Sequence, residues 1–209
     1  MKIRYFGHSC FLLTSDSNVS LLTDPFDDTV GYSLPRVKAD VVTSSHDHFD
    51  HNHFPAVLGD FEKVTAAGKH VSAGISIEGF DTFHDEKKGG LRGENIIFVI
   101  EMDGMRVCHC GDLGHLPDAH TLERMGAVDV LMVPVGGTFT LNAQEAKTLS
   151  ELLKPNMIIP MHYRTPATDM GIAGVDDFLK QMDKPVLKTG NIFEPKANDA
   201  GKVIVMQYE

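Results

Sequence analysis

The chain has 209 residues, 42% of them hydrophobic and 23% charged, with a formal net charge of −10. That is ample material for one domain with a large core, and the negative field opposes nucleic acid and anionic membranes as partners. No run of about 18 apolar residues is present to span a bilayer, no signal-peptide layout opens the chain, and three cysteines make no disulfide framework, so a cytoplasmic protein is expected. The one compositional oddity is 11 histidines, which points at metal.

In chain order, residues 2–6 and 10–14 read as short strands around Gly7-His8-Ser9, and Val19–Thr23 as a third, stopped by Asp24-Pro25. Residues 26–38 look irregular. A buried strand over Asp40–Ser44 runs into the polar hexapeptide 46–51, and Asn52–Leu58 reads as a short helix. Strands are expected at 63–65 and 75–83, a glycine-rich loop over 85–94, and a hairpin of 95–101 with 105–110 around the Asp103-Gly104 turn signal. Then come a helix over 117–125, a strand over 128–133, and a helix to about Leu153 capped by Asn142 or Thr140. A strand over 157–160, a helix over 175–182 and a closing strand over 203–208 complete the chain. Strands first, then strands alternating with helices, predict an α+β fold of two face-to-face sheets with helices outside, an αββα four-layer sandwich.

The hexapeptide His46-Asp47-His48-Phe49-Asp50-His51 packs three imidazoles and two carboxylates into six residues, in the pattern H-x-H-x-D-H. Imidazole suits zinc, iron or manganese, and a neighbouring carboxylate admits a second cation. Residues two apart on an extended segment point the same way, so His46 and His48 can grip one ion. A turn then lets Asp50 and His51 face a second. Four strand-like runs each end, within a few residues, in a His or Asp: His46, His84, Asp112 and His162. Loops at one edge of a sheet scaffold are where sites are built, which gives seven candidate ligands: His46, His48, Asp50, His51, His84, Asp112 and His162.

That order, H-x-H-x-D-H, a lone His, Gly-Asp and a final His, resembles the metallo-β-lactamase superfamily of metal-dependent hydrolases over essentially the whole chain. Gly7-His8-Ser9, Asp24-Pro25, Gly89-x-x-Arg92-Gly93-x-Asn95 and Gly111-Asp112 further resemble a short cytoplasmic branch. It includes ascorbate-6-phosphate lactonase-like proteins and is related to N-acyl phosphatidylethanolamine phospholipase D-like enzymes. The resemblance implies one ion on His46, His48 and His84, a second on Asp50, His51 and His162, and Asp112 bridging both. Zinc is the first expectation, with manganese or iron accepted by the same donors.

Such a site implies a hydroxide bridging two divalent ions as nucleophile, oriented by Asp112, with Asp50 and Asp112 counted as the catalytic carboxylates. The ions outweigh these two charges, so a small anionic ester or lactone is the expected substrate. The alternatives are a small phosphodiester and, in a different class, an iron-dependent redox protein. A homo-oligomer is left open. Arg92 and His8 are candidate substrate-binding residues, the first as a bidentate anion clamp. Asp24 reads either as an orienter of a metal-bound imidazole or as a simple turn former. Gly136-Gly137-Thr138 can offer backbone N–H groups to a substrate or be a plain loop. Lys87 and Lys88 read as solvated charges, Cys108 and Cys110 as buried strand residues, and His109 and His115 as polar loop residues. Tyr163 has no assigned role.

Overall fold

The computed structural model describes residues 1–168 and 170–209. The six-stranded sheet contains β1 (Lys2–Gly7), β2 (Cys10–Thr14), β3 (Ser20–Thr23), β4 (Val41–Thr43), β5 (Glu62–Val64) and β13 (Ile192–Phe193), in the order β13-β1-β2-β3-β4-β5. The eight-stranded sheet contains β6 (Gly68–Ser72), β7 (Ile75–Phe83), β8 (Glu94–Met102), β9 (Met105–His109), β10 (Val130–Pro134), β11 (Met157–Met161), β12 (Val186–Thr189) and β14 (Lys202–Met206). Its order is β12-β14-β11-β10-β9-β8-β7-β6. The helices are α1 (Ala119–Met125), α2 (Ala143–Leu153) and α3 (Val175–Leu179). None is long and apolar enough to cross a membrane.

Alternation along the first strands makes the layers. Ile3, Tyr5, Phe11, Leu13, Leu21 and Val41 enter the large core between the sheets. Their neighbours Phe6, Cys10, Leu22 and Val42 point the other way, as the period of two dictates. There they meet Phe26, Val30, Tyr32 and Ala39 from the segment between β3 and β4. The outer layer on this sheet is therefore irregular chain with 3-10 turns at Asp28–Val30 and Phe54–Ala56, while α2 packs on β10 of the other sheet. The helix expected over 52–58 shrinks to the second of these turns, with Pro55 at its start.

Local chemistry accounts for the regular pieces. Asp103 and Gly104 both take positive φ, as a two-residue hairpin turn between β8 and β9 requires. Asn142, not Thr140, caps α2. Its side chain accepts the Glu145 N–H while the Glu145 carboxylate accepts the Asn142 N–H, a reciprocal capping box. β6, β12 and β13 were not foreseen in the sequence. All three are largely exposed edge strands and lack the apolar alternation that marks a half-buried strand.

Strand direction places the functional loops. β1 and β3 both run antiparallel to β2, and β4 is parallel to β3, so β1, β3 and β4 end at one edge. β7 and β9 both run antiparallel to β8, and β10 and β11 are parallel to β9, so these four also end together. The two edges are stitched: His162 N–H donates to the His8 carbonyl at 3.0 Å, and His109 Nε2–H to the Ser9 carbonyl at 2.8 Å. His109 is thus a buried brace between sheets and not the polar loop residue its setting suggested.

Candidate metal centre

All seven predicted ligands converge at this shared edge. His46, His48 and His84 form one group whose ligand atoms lie within 4.8 Å of one another. Asp50, His51 and His162 belong to a second group of the same tightness, which also includes His8. Asp112 touches both. Its Oδ2 lies 3.3 Å from His84 Nε2 and 3.2 Å from His162 Nε2, and its Oδ1 lies 3.2 Å from His51 Nε2. All but His46 and His48 are buried, and those two are half-buried.

Hydrogen bonds around the cluster assign the imidazole tautomers. His51 Nδ1–H donates to Asp24 Oδ2 at 2.8 Å. Ser45 Oγ–H donates to the same oxygen at 2.6 Å, so Ser45 Oγ accepts His46 Nδ1–H at 2.9 Å. His84 Nδ1–H donates to the Phe139 carbonyl at 3.2 Å. In each case Nδ1 is the protonated nitrogen facing outward, and Nε2 is the atom left to face the centre, where the neutral ring offers its lone pair. Asp24, fully buried, therefore orients two histidines, one directly and one through Ser45, and is more than a turn former. Ser45 and the Phe139 carbonyl carried no signal in the sequence.

Asp112 is held by the backbone before it. Its N–H donates to Asn95 Oδ1 at 2.9 Å, while the Asn95 amide donates to Thr82 and to the Cys110 carbonyl. Gly111 has φ +55, and a Cβ there would overlap the Ser45 side chain, so only glycine lets the loop pass. The donor set fits divalent cations. His46 Nε2 and Asp112 Oδ1 are buried without a hydrogen-bond partner among the described residues, an arrangement that is costly unless something takes up their lone pairs. Neutral imidazoles and carboxylates are the donors that zinc and similar ions accept.

Charge works in the same direction. Burial would raise the Asp112 carboxyl, but the neighbouring His162 and His51 hold it well below the usual range. Burial would lower His51, yet the facing carboxylates of Asp112, Asp24 and Asp50 raise it well above the usual range. Burial pushes His8 down to about 4 and His46 to about 3, and lowers His109. Burial lowers His48 as well. In protein stripped of metal, the unfolded chain thus takes up protons near pH 6.5 on four histidines that resist protonation when folded. One residue, His51, works in the opposite sense. The stability these four give is present above pH 6.5 and lost as pH falls toward 4. The melting temperature of the stripped protein, followed by circular dichroism, is expected to drop between pH 7 and pH 5. An unchanged or higher value at pH 5 would contradict these buried neutral histidines.

A cavity of about 520 Å³ opens beside the cluster, lined by His46, His48, Asp47, Asn52, Phe54 and Arg92 among others. Asp85 builds the loop that carries Arg92: its carboxylate accepts the backbone N–H groups of Lys87, Gly89, Leu91 and Arg92. The half-buried Arg92 guanidinium donates to the Thr138 carbonyl at 3.1 Å and lies over the Phe139 ring. It shares the cavity with Asp47, Asp81 and Glu94, so it is a cation among carboxylates. His8, expected to meet substrate, does not line this cavity. It is buried with its Nε2 3.1 Å from Asp50 Oδ2. The Gly137 N–H is engaged by the Leu141 carbonyl. Lys87 and Lys88 are exposed, Cys108 and Cys110 are buried thiols, and Tyr163 packs into the core.

The family model described as beta-lactamase superfamily domain matches residues 2–162. A UPF0173 metal-dependent hydrolase of Methanospirillum hungatei is 32% identical over 188 residues, covering 79% of this chain and 84% of its own. A crystal structure from Thermotoga maritima, provisionally assigned as a Zn-dependent hydrolase of the metallo-β-lactamase superfamily, is 42% identical. It covers 100% of this chain and 99% of its own with a TM-score of 0.84. Igni18, a metallo hydrolase from Ignicoccus hospitalis, shares the fold at 24% identity, covering 99% of this chain and 94% of its own, with a TM-score of 0.66.

Proposed function

The chain belongs to the beta-lactamase superfamily, and from that premise we propose that it is a metal-dependent hydrolase working with two divalent ions on a small anionic ester or lactone. The reading is carried by one observation: seven candidate ligand side chains from four loops meet at one edge, with Nδ1 of His46, His51 and His84 engaged outward and Nε2 left to face inward. His46, His48 and His84 would hold one ion, and Asp50, His51 and His162 the other, with Asp112 shared. Ions bound there supply Lewis acidity and water acidified enough to react near neutral pH. Zinc is the first choice for these donors, and manganese or iron is accepted by the same set.

The chain's own residues supply positioning. Asp112 reaches histidines of both groups and keeps the two sites in register. Arg92, anchored through Thr138 and the Asp85 loop, presents a planar cation on the cavity wall where the anionic part of a substrate would sit. Asp47, Asp81 and Glu94 on the same wall oppose an anion, so the attraction would come from Arg92 and the bound ions together.

Protein purified without chelator or nickel should carry about two metal equivalents by plasma mass spectrometry. It should hydrolyse anionic lactones or carboxylic esters faster than phosphodiesters. Arg92→Ala should raise KM about tenfold for an anionic ester, the scale of one charge-assisted hydrogen bond, and leave a neutral ester unaffected. Faster phosphodiester cleavage would reverse the substrate assignment. Failure to bind any metal after reconstitution would end the hydrolase reading.

A further inference from the structure

The second group of candidate ligands has a member that the superfamily pattern does not assign. His8 stands in the turn between β1 and β2 with φ +53, a left-handed conformation that costs a non-glycine residue energy and gathers where structure serves function. Asp24 and His162 share this feature, with φ +41 and +49. The His8 carbonyl takes the His162 N–H, so two strained turns from opposite sheets are locked together.

His8 Nε2 lies 3.1 Å from Asp50 Oδ2 and 3.1 Å from His51 Nε2. Because His51 donates through Nδ1 to Asp24, Nε2 is the atom at which its neutral ring offers a lone pair. A proton on His8 Nε2 can serve one of these two acceptors well and the other poorly. A cation between them serves all three atoms. Donors about 2.0–2.2 Å from a tetrahedral ion stand about 3.3–3.5 Å from one another. The separations here, 3.1, 3.1 and, between His51 Nε2 and Asp50 Oδ2, 3.7 Å, bracket that edge.

We propose that His8 is itself a ligand of the second ion, closing a buried inner site with Asp50, His51 and His162. The inference deepens the two-ion reading and rests on it. The inner site would then have four protein donors of its own beside the shared Asp112. The outer one would have three histidines beside it, two of them lining the cavity, and so is the ion with room to take a further donor from substrate or water. A sequence motif that looked like a substrate contact becomes part of the metal shell.

The test is zinc titration of chelator-stripped protein against a competing fluorescent chelator. Wild type should take two equivalents. His8→Ala should keep one at native affinity and bind the other more than about 100-fold more weakly, beyond the 10–100-fold that loss of an outer hydrogen-bond partner costs. Two equivalents at native affinity, or a loss within that smaller range, would overturn the ligand role. One equivalent or none in wild type would instead remove the two-ion reading, and this inference with it. A readout without any variant is one-bond coupling between cadmium-113 and labelled histidine nitrogens in the wild-type protein. Coupling is expected at His8 Nε2, and its absence there alongside coupling at His51 would overturn the proposal.

Discussion

Asp112→Asn is expected to lose hydrolytic turnover by at least about 10³-fold, the scale of removing a principal electrostatic group from an active site, while the protein stays folded. The carboxylate lies within 3.3 Å of three Nε2 atoms belonging to both ligand groups, and its N–H is fixed by Asn95. An amide has nearly the same shape but no charge to share between two cations, and half of it becomes a donor. In the stripped protein the change removes the charge that His51 and His162 face, so the variant should melt lower than wild type even without metal. With metal the gap should widen. At 100 times the dissociation constant, each bound ion adds about 2.7 kcal/mol, or roughly 5–10 °C for a chain of this size. Wild type should show that gain, and Asp112→Asn most of it lost. Melts with and without zinc, beside metal counts, make the check. A variant that binds two equivalents and turns over within tenfold of wild type would contradict the shared role of Asp112.

A functional site gathers donors that cannot all satisfy one another, and the rest of the fold carries that cost. The three non-glycine left-handed residues in the site, His8, Asp24 and His162, belong to the same trade.

The clustering of the candidate ligands was legible in the sequence because each is chemically loud and follows a strand. The hexapeptide after β4, His84 after β7, Asp112 after β9 and His162 after β11 all sit where apolar alternation stops. What was not legible depends on contacts distant in the chain or on groups with no compositional signature. His84 is oriented by a main-chain carbonyl 55 positions away, and any residue at position 139 would provide one. Ser45 reads as an ordinary loop serine until Asp24, 21 positions earlier, is placed beside it. His8 meets Asp50 across 42 positions, and its left-handed φ is invisible in a non-glycine residue. In the fold, irregular chain over 26–38 was foreseen, but its use as a packed layer on the six-stranded sheet was not, since Phe26, Val30 and Tyr32 follow no regular period.

Asp24 carries the other large effect, and two substitutions divide it into stability and metal affinity. Its carboxylate accepts three buried donors: the Ser45 N–H at 2.8 Å, the Ser45 hydroxyl at 2.6 Å and His51 Nδ1–H at 2.8 Å. Asp24→Ala strands all three, and removal of one partner from a buried ionic network costs about 3–5 kcal/mol. Denaturant melts should find a loss of that size. Asp24→Asn keeps one oxygen for the Ser45 N–H but turns an NH₂ toward the other two donors. His51 is then driven to the tautomer with its proton on Nε2, facing the place of the ion. Ser45, free of Asp24, can reverse its hydroxyl and push His46 the same way. The asparagine variant should therefore lose less stability than the alanine variant yet bind metal about 10–100-fold more weakly, as loss of an orienting partner does. Ser45→Ala, which disturbs only the His46 branch, should weaken one ion and spare the other. Native metal affinity in Asp24→Asn would mean that the tautomers are set by the ions alone, and that Asp24 serves the fold and not the site.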